Sequence, residues 1–212
     1  MDEGIYSRPA GRRAGTDLVM MLHGYGSNPE RMTGWFNELP PDATGVALRG
    51  PMEVGGDRGW FLLDYFLAND FAKVVSAAQQ VFDWQDRYAR GYRSISLLGH
   101  SQGMAMATTL HRLRPGNYAT ITGLSGFVLS NELLSLTDIV PEPGEAVPFF
   151  WGRDPFDLVI NPDAVAYAGQ WLAEHTALTS RTYPEMGHGF GADERRDVRN
   201  FYRHYLAAKP TA

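Results

Sequence analysis

A serine between two glycines stands where a predicted strand meets a predicted helix. The pentapeptide Gly99–Gly103 reads G-x-S-x-G, with Ser101 at its centre. In such a turn the serine Oγ is exposed above the sheet, and the backbone conformation costs about 1 to 3 kcal/mol. The flanking glycines leave room for the sharp turn. The pattern therefore predicts a nucleophilic serine, whereas a serine in an ordinary turn would leave the adjoining strand and helix unexplained.

A serine hydroxyl needs a base within hydrogen-bond reach, and the base needs a carboxylate that orients it. His188 lies between two glycines in the loop after the last predicted strand, and the other histidines fit the role of base poorly. Two carboxylates, Asp154 and Asp157, share the loop after the preceding strand. Nucleophile, acid and histidine follow in this order in hydrolases with a serine at a strand–helix turn. The order favours His188 as the base and leaves the two aspartates as alternatives for the acid.

Two backbone N–H groups are candidates for stabilising an oxyanion. Gln102 directly follows the serine, and Tyr25 lies in the glycine-broken loop His23–Ser27 after a central predicted strand. From both places an N–H can point at the carbonyl oxygen that the serine attacks. His23 itself is expected to support this loop by hydrogen bonding rather than to act in catalysis or bind a metal.

Strands and helices alternate along most of the chain. Continuous apolar runs predict buried strands, and amphipathic stretches with capping residues predict helices. The strands are predicted at residues 18–22, 44–48, 94–98, 119–124, 147–151 and 178–183, and the helices start near Asn28, Asn69, Gln102, Asn161 and Asp193. The alternation indicates an α/β protein with a mostly parallel, doubly wound sheet and helices on both faces.

All 212 residues are interpreted as one domain. Residues 1–16 are expected to form either a poorly ordered segment or an edge strand. Residues 129–148 contain several separated prolines and glycines and are predicted to be mostly irregular, with no chemistry that the sequence assigns.

Composition and charge exclude several functions. The chain has no cysteine, so disulfides, thiolate metal sites and a cysteine nucleophile are ruled out. The formal net charge of −5 argues against nucleic acid or an anionic membrane as the main partner. A signal-peptide pattern and apolar runs of about 18 residues are both absent from the sequence. We therefore expect a cytoplasmic protein without integral membrane association; a homodimer is compatible with the sequence.

Several motifs, in their order along the chain, resemble the phospholipase/carboxylesterase family of α/β-hydrolases, which includes acyl-protein thioesterases and small bacterial carboxylesterases. The motifs are His23–Gly26, Arg49–Pro51, Gly59–Phe61, Gly99–Gly103, Asp157–Ile160 and Gly187–Gly189. The resemblance covers nearly the whole chain after about residue 17. It implies the α/β-hydrolase fold without a large cap domain.

The resemblance favours Asp157 as the acid. In the family the aspartate is followed by a short stretch with valine or isoleucine and usually by a proline, and Val159–Ile160 follows Asp157 in this way. The sequence departs from the family in having Asn161 where that proline usually stands and one or two extra residues after Gly152. Asp154 therefore stays the alternative.

The activity that the resemblance implies is hydrolysis of carboxylic esters of short or medium acyl chains through an acyl-enzyme, without a cofactor or metal. The partner is then a small-molecule ester. An acyl thioesterase or lysophospholipase with the same triad is the alternative. A third hypothesis, from a different functional class, is a non-catalytic protein of the same fold that binds a small molecule. Trp60, Phe61 and Phe190 are candidates for the wall of the substrate pocket; a core position explains Trp60 and Phe61 equally well.

Overall fold

The structure, a computed structural model, describes residues 4–63 and 71–206. The strands are β1 (Ile5–Tyr6), β2 (Asp17–Leu22), β3 (Ala43–Leu48), β4 (Met52–Val54), β5 (Asp57–Gly59), β6 (Ser94–His100), β7 (Ile121–Leu124), β8 (Pro148–Arg153) and β9 (Ala177–Thr182). The α-helices are α1 (Phe71–Tyr88), α2 (Gln102–Leu113), α3 (Glu132–Ser135), α4 (Pro162–His175) and α5 (Ala192–Tyr205). A short 3₁₀ helix covers Ala10–Arg12, and a long 3₁₀ helix covers Pro29–Glu38.

The main sheet has the strand order β1-β3-β2-β6-β7-β8-β9 within the described residues. Every neighbouring pair is parallel except β1 and β3, which pair antiparallel at the edge of the sheet. The predicted mostly parallel sheet is confirmed, and residues 4–63 and 71–206 contain no large cap. Since β6 is central and β8 and β9 follow β7 toward one edge, the carboxyl ends of β6, β8 and β9 open on the same side of the sheet.

Helices cover both faces of the sheet, as predicted. Alternate residues of β2 separate two hydrophobic cores, because successive side chains of a strand point to opposite faces. Leu18 and Met20 pack in the core that α1, α2 and α4 complete. Val19 and Met21 pack in the core that the long 3₁₀ helix and α5 complete. A strand covered on both faces explains why the sequence of β2 is a continuous apolar run.

Two helices begin at the predicted asparagines, each followed by a proline. Asn28 accepts a hydrogen bond from the backbone N–H of Arg31 (3.2 Å), and Asn161 accepts one from Asp163 (2.8 Å). Each asparagine thereby satisfies an N–H that the first turn of a helix leaves without a partner. The helix after Asn28 is 3₁₀ rather than α and ends at Glu38. The predicted cap at Asn69 lies outside the described residues.

A small hairpin, β4–β5, follows β3 in a region where the sequence predicted no strand. Its turn consists of Gly55 and Gly56, both with positive φ (55° and 92°), which glycine adopts without a Cβ clash. Arg58 of this hairpin exchanges two backbone hydrogen bonds with Ser27 (3.1 and 2.8 Å). The hairpin therefore fixes the end of the loop His23–Ser27, which the sequence singled out.

Residues 129–148 are mostly irregular, as predicted, apart from the single turn of α3. The guanidinium of Arg112, almost fully buried, holds this segment to α2. It donates to the carbonyl oxygen of Leu129 (2.7 Å) and to both carboxylate oxygens of Asp138 (2.7 and 2.8 Å). In the part of the chain that the structure describes, no helix has the length and apolar character that spanning a bilayer requires.

Candidate active site

Ser101 occupies a sharp turn between β6 and α2. Its backbone angles are φ 53° and ψ −118°, a region that residues with a Cβ seldom adopt. A Cβ at Gly99 would overlap the backbone of Gly103, and a Cβ at Gly103 would overlap the carbonyl oxygen of Leu22, both well inside the 3.0 Å that real Cβ contacts respect. Both glycines are therefore required by the turn, as the sequence analysis expected.

Ser101, His188 and Asp157 form a continuous hydrogen-bonded chain. Nε2 of His188 lies 2.9 Å from Oγ of Ser101, and Nδ1 lies 2.7 Å from Oδ2 of Asp157. The Asp157 side chain is 6% exposed and the His188 side chain 20% exposed, so the carboxylate is covered while the imidazole reaches the site from its edge. Oδ1 of Asp157 also accepts the N–H of Val159 (2.8 Å), which fixes the carboxylate plane. This geometry places an imidazole against the serine hydroxyl and a carboxylate against the imidazole, which is the arrangement that a serine nucleophile requires.

Asp154, the other candidate acid, binds backbone instead of the imidazole. Its Oδ1 accepts the N–H of Phe156 (2.8 Å) and its Oδ2 accepts the N–H of Gly187 (2.7 Å). These two hydrogen bonds, in that order of importance, lower the pKa of the Asp154 carboxyl, because they favour its charged form. The bond to Phe156 is the local turn expected of an aspartate before proline. The bond to Gly187 is not visible in the sequence, because it joins loops 33 residues apart.

The loop that carries His188 has further supports from neighbouring strands. The N–H of Tyr183 donates to the carbonyl of Arg153 (2.9 Å), and Ser125 Oγ makes a long contact of 3.5 Å with the carbonyl of Gly189. Ser125 has φ 44°, a second strained residue beside the site.

The ring of His100 packs 5.2 Å from the ring of His188. Burial, and next the charge of His188, lower the pKa of His100 to about 4, so its ring is a neutral packing surface at neutral pH.

The two candidate oxyanion donors lie next to the serine. Gln102 is the first residue of α2, so its N–H has no acceptor within the helix. The loop that contains Tyr25 touches the nucleophile, since a Cβ built on Gly24 would lie 3.3 Å from Cβ of Ser101. Tyr25 and Ser101 also line the same two cavities. The backbone of both donors thus borders the place where a carbonyl attacked by Ser101 would lie.

Trp60 and Phe61, candidates for the pocket wall, lie in the core with 2% and 1% exposure. The buried side chain of Gln102 connects their backbone to the turn around Ser101. Its Oε1 accepts the N–H of Trp60 (2.9 Å), and its Nε2 donates to the carbonyl of Phe61 (2.6 Å). The pocket assignment is therefore corrected: these aromatics support the site from behind, because a carboxamide satisfies their backbone inside the core.

His23 supports the loop His23–Ser27 through both ring nitrogens, as expected. Its Nε2 accepts the N–H of Gly50 (3.0 Å), which requires the proton to be on Nδ1, and Nδ1 donates to the carbonyl of Gly24 (2.7 Å). Burial lowers the pKa of His23, and this stabilises the neutral ring that the two hydrogen bonds need. The indole N–H of Trp60 donates to the carbonyl of His23 (2.8 Å).

Two cavities meet at Ser101, each with a volume of about 470 Å³. The first, called the apolar cavity, has a mostly apolar lining that includes Leu63, Phe127, Val128, Val159, Ile160 and Tyr167. The second, called the histidine-side cavity, is lined by the loop after β2 and by Arg31, Met32, His100, His188 and Phe190. Phe190 lies where the sequence analysis expected it, at a pocket wall, and its ring packs against those of Trp35 (5.2 Å) and His100 (4.5 Å). Cavities of this size are typical of small-molecule sites.

Residues 4–63 and 71–206 contain no cluster of three His, Asp or Glu side chains that could hold a metal ion. The arrangement present is a serine hydroxyl, an imidazole, a carboxylate and nearby backbone N–H groups. Those parts suffice for acyl transfer through a covalent intermediate.

The chain is similar to known hydrolases in its sequence profile and in its fold. Residues 9–206 match the sequence profile described as Phospholipase/Carboxylesterase. No curated protein sequence matches the chain. Among solved structures, esterase PE8 is 24% identical and superposes with a TM-score of 0.74, covering 96% of this chain and 98% of that chain. The acyl-protein thioesterase 2 of Zea mays is 19% identical, with a TM-score of 0.72 and the same coverages of 96% and 98%. The carboxylesterase of Bacillus cereus is 14% identical, with a TM-score of 0.73 and coverages of 95% and 93%. At these identities the structural likenesses show the fold.

Proposed function

The chain belongs to the phospholipase/carboxylesterase family of hydrolases, and from this premise we propose that it is a serine hydrolase of carboxylic esters with short or medium acyl chains. The single observation that carries the proposal is the unbroken contact from Ser101 through His188 to Asp157, with distances of 2.9 and 2.7 Å. A protein that only binds a small molecule has no need of this geometry.

The reaction proceeds in two steps on these residues. Ser101 Oγ attacks the ester carbonyl while His188 Nε2 takes the hydroxyl proton, and Asp157 holds the Nδ1–H of the imidazole and stabilises its charge. The N–H groups of Tyr25 and Gln102 donate to the oxyanion that forms on the carbonyl oxygen. His188 returns the proton to the departing alcohol. Water, activated by the same imidazole, then attacks the acyl-serine and releases the acid and Ser101.

The two cavities divide the substrate between them. The leaving alcohol must lie beside Nε2 of His188, because that nitrogen delivers its proton. His188 lines the histidine-side cavity, whereas the lining of the apolar cavity contains Ser101 without His188. The leaving group therefore occupies the histidine-side cavity, and the acyl chain, which stays on Ser101, occupies the apolar cavity. Burial of an acyl chain there contributes about 0.8 kcal/mol for each methylene.

Thioesters and lysophospholipids are the alternative substrates for the same triad. Both retain the acyl group and differ from simple esters in the leaving group, so the apolar cavity serves all three. We favour simple esters of short or medium chains on the family resemblance and treat the other two as arms of the test.

The test is a hydrolysis series on the whole protein. It uses p-nitrophenyl esters of graded acyl length, an acyl thioester and a lysophospholipid, with wild type and Ser101→Ala in parallel. We expect kcat/KM to rise with acyl length until the apolar cavity is full, and we expect Ser101→Ala to lose on the order of 10⁶-fold in kcat. A fluorophosphonate probe should label the wild type at Ser101. A folded wild type that is neither labelled nor active on any of these substrates would leave the binding-protein alternative.

A further inference from the structure

The histidine-side cavity contains a positive charge. Arg31, on the first turn of the long 3₁₀ helix, lines this cavity together with Ser101, His188 and Phe190. The charge of Arg31 is also among the causes that lower the pKa of the buried His100, so its field reaches the wall of the cavity. A cation in this place acts on whatever group occupies the leaving-group side of the site.

Within the described residues, Arg31 lacks the carboxylate partner that Arg49 and Arg195 have. Arg49 lies 3.7 Å from Glu30, and Arg195 lies 3.5 Å from Glu38 and donates to the carbonyl of Gly34 (3.0 Å). Across residues 4–63 and 71–206, no carboxylate lies within 4.0 Å of the Arg31 guanidinium. Its five donors are therefore available to a ligand.

The acidic groups close to this cavity are already engaged. Glu30 faces Arg49, Asp57 accepts a hydrogen bond from Nδ2 of Asn28 (2.8 Å), and Asp157 accepts one from His188. In a chain with a net charge of −5, an unpaired arginine beside the nucleophile stands out against the overall sign. It favours an anion at this place, in contrast to the net negative charge of the chain.

We propose that Arg31 binds an anionic group, a carboxylate or a phosphate, on the leaving group of the substrate, and that it makes the enzyme prefer esters of anionic alcohols. This inference rests on the proposed function, since it assigns the leaving group to the histidine-side cavity. A guanidinium suits both anions because its N–H groups match two oxygens at once. Arg31 is thus a specificity residue, and the triad is unchanged.

The test compares esters that differ only in charge on the leaving group. Butyrate esters of 4-hydroxybenzoate (anionic) and of 4-hydroxybenzamide (neutral) are hydrolysed by wild type, Arg31→Gln and Arg31→Glu, and kcat/KM for the anionic ester is divided by that for the neutral one. The ratio within one protein cancels any general loss of activity. Comparison of that ratio between wild type and variant also cancels the difference in intrinsic reactivity of the two esters. Arg203→Gln is the matched control, because Arg203 is an exposed arginine on the last turn of α5 that lines none of the cavities described.

We expect the ratio to fall about fivefold in Arg31→Gln and further in Arg31→Glu, because Arg31 is exposed and an exposed ion pair contributes up to about 1 kcal/mol. Arg203→Gln should keep the wild-type ratio, and added salt should lower the ratio of the wild type alone toward that of Arg31→Gln. The butyrate ester of 4-hydroxyphenyl phosphate is measured in the same series. The anion whose kcat/KM, relative to the neutral ester, falls more in Arg31→Gln is the one that Arg31 favours.

Two failures are distinguishable. If both esters are hydrolysed through Ser101 and the Arg31 variants leave the ratio unchanged, this inference is overturned while the proposed function stands. If neither ester is hydrolysed, or if hydrolysis persists in Ser101→Ala, the proposed function fails and the inference falls with it.

Discussion

The carboxylate of Asp154 accepts the backbone N–H of Gly187, the residue before His188, at 2.7 Å. The same carboxylate accepts the N–H of Phe156, the residue before Asp157, at 2.8 Å. One buried side chain outside the triad therefore joins the loop of the acid to the loop of the base. We therefore expect Asp154 to be a positioning residue, which acts on the proposed reaction through His188 and Asp157.

Removal of Asp154 should therefore slow the reaction. In Asp154→Ala both loops lose an anchor, and we expect kcat to fall about 10- to 100-fold, the scale of a displacement of about 1 Å in a catalytic group. Asp154→Asn should lose less, because its amide oxygen still accepts one N–H. The rate of fluorophosphonate labelling, which depends on activation of Ser101 by His188, should fall with kcat, while KM for a short ester stays near the wild-type value. A change in Tm without a change in labelling rate would mean that Asp154 only stabilises the fold.

Asp157→Asn should have a larger effect than either change at Asp154. The amide cannot accept Nδ1–H with the strength of a carboxylate and favours the wrong tautomer of His188, so we expect a loss on the order of 10⁴-fold in kcat. The measurement is kcat of purified Asp157→Asn and Asp154→Asn on the same ester, with circular dichroism to verify folding. The reverse ranking would transfer the role of the acid to Asp154.

Gly103→Ala should destabilise the fold as well as the site. The new Cβ would overlap the carbonyl oxygen of Leu22 at the end of β2, a backbone atom that cannot move away as a side chain can. We expect a loss of about 3 kcal/mol or more in the free energy of unfolding, the scale of severe overpacking. Gly11→Ala is the control, because a Cβ at Gly11 meets nothing within 4 Å. Equal stability of the two variants in urea unfolding would contradict the close approach of Gly103 to the carbonyl oxygen of Leu22.

Glu194, buried near the start of α5, should make the stability fall as the pH rises. Burial raises its pKa from the ordinary 4.5 to about 8, while the N–H of Gly191 and the charge of Arg195 act in the opposite direction. Below pH 4.5 Glu194 is protonated in both the folded and the unfolded chain, so its ionisation does not change the free energy of unfolding there. Between pH 4.5 and 8 only the unfolded chain releases the proton, which destabilises the fold by about 1.4 kcal/mol for each pH unit.

The matched variant is Glu194→Gln, which cannot ionise. Its stability relative to wild type should be lowest near pH 4 and should increase up to pH 8, as measured by urea unfolding at each pH. A difference between the two proteins that stays constant over this range would show that Glu194 is ionised inside the folded protein.

The sequence predicts those parts of the site that depend on local patterns. The turn around Ser101 is visible because its glycines, its strand and its helix are adjacent in the chain. The helix starts at Asn28 and Asn161 are visible because capping is a local hydrogen bond. The alternation of apolar runs and amphipathic stretches likewise suffices to indicate the parallel sheet.

What the sequence left open depends on contacts between distant segments. Asp154 and Gly187 are joined only by folding, and so are the side chain of Gln102 and the backbone of Trp60–Phe61. Aromatic residues after a strand fit a core and a pocket equally well, so the sequence could not separate the two for Trp60 and Phe61. The hairpin β4–β5 has three-residue strands, too short for an alternation of apolar and polar residues to show.

The backbone of Ser101 has φ 53°. At this position the requirement for a nucleophilic hydroxyl therefore opposes the stability of the fold. Glycine adopts such angles without a Cβ penalty, so Ser101→Gly should raise the free energy of unfolding by about 1 kcal/mol relative to Ser101→Ala while both variants lack the nucleophile. Thermal unfolding of the two variants measures that difference directly, and equal Tm values would mean that the turn stores no strain. If stability alone decided the residue at position 101, glycine would be favoured over serine, so the conformational cost of this turn is the cost of placing a hydroxyl there.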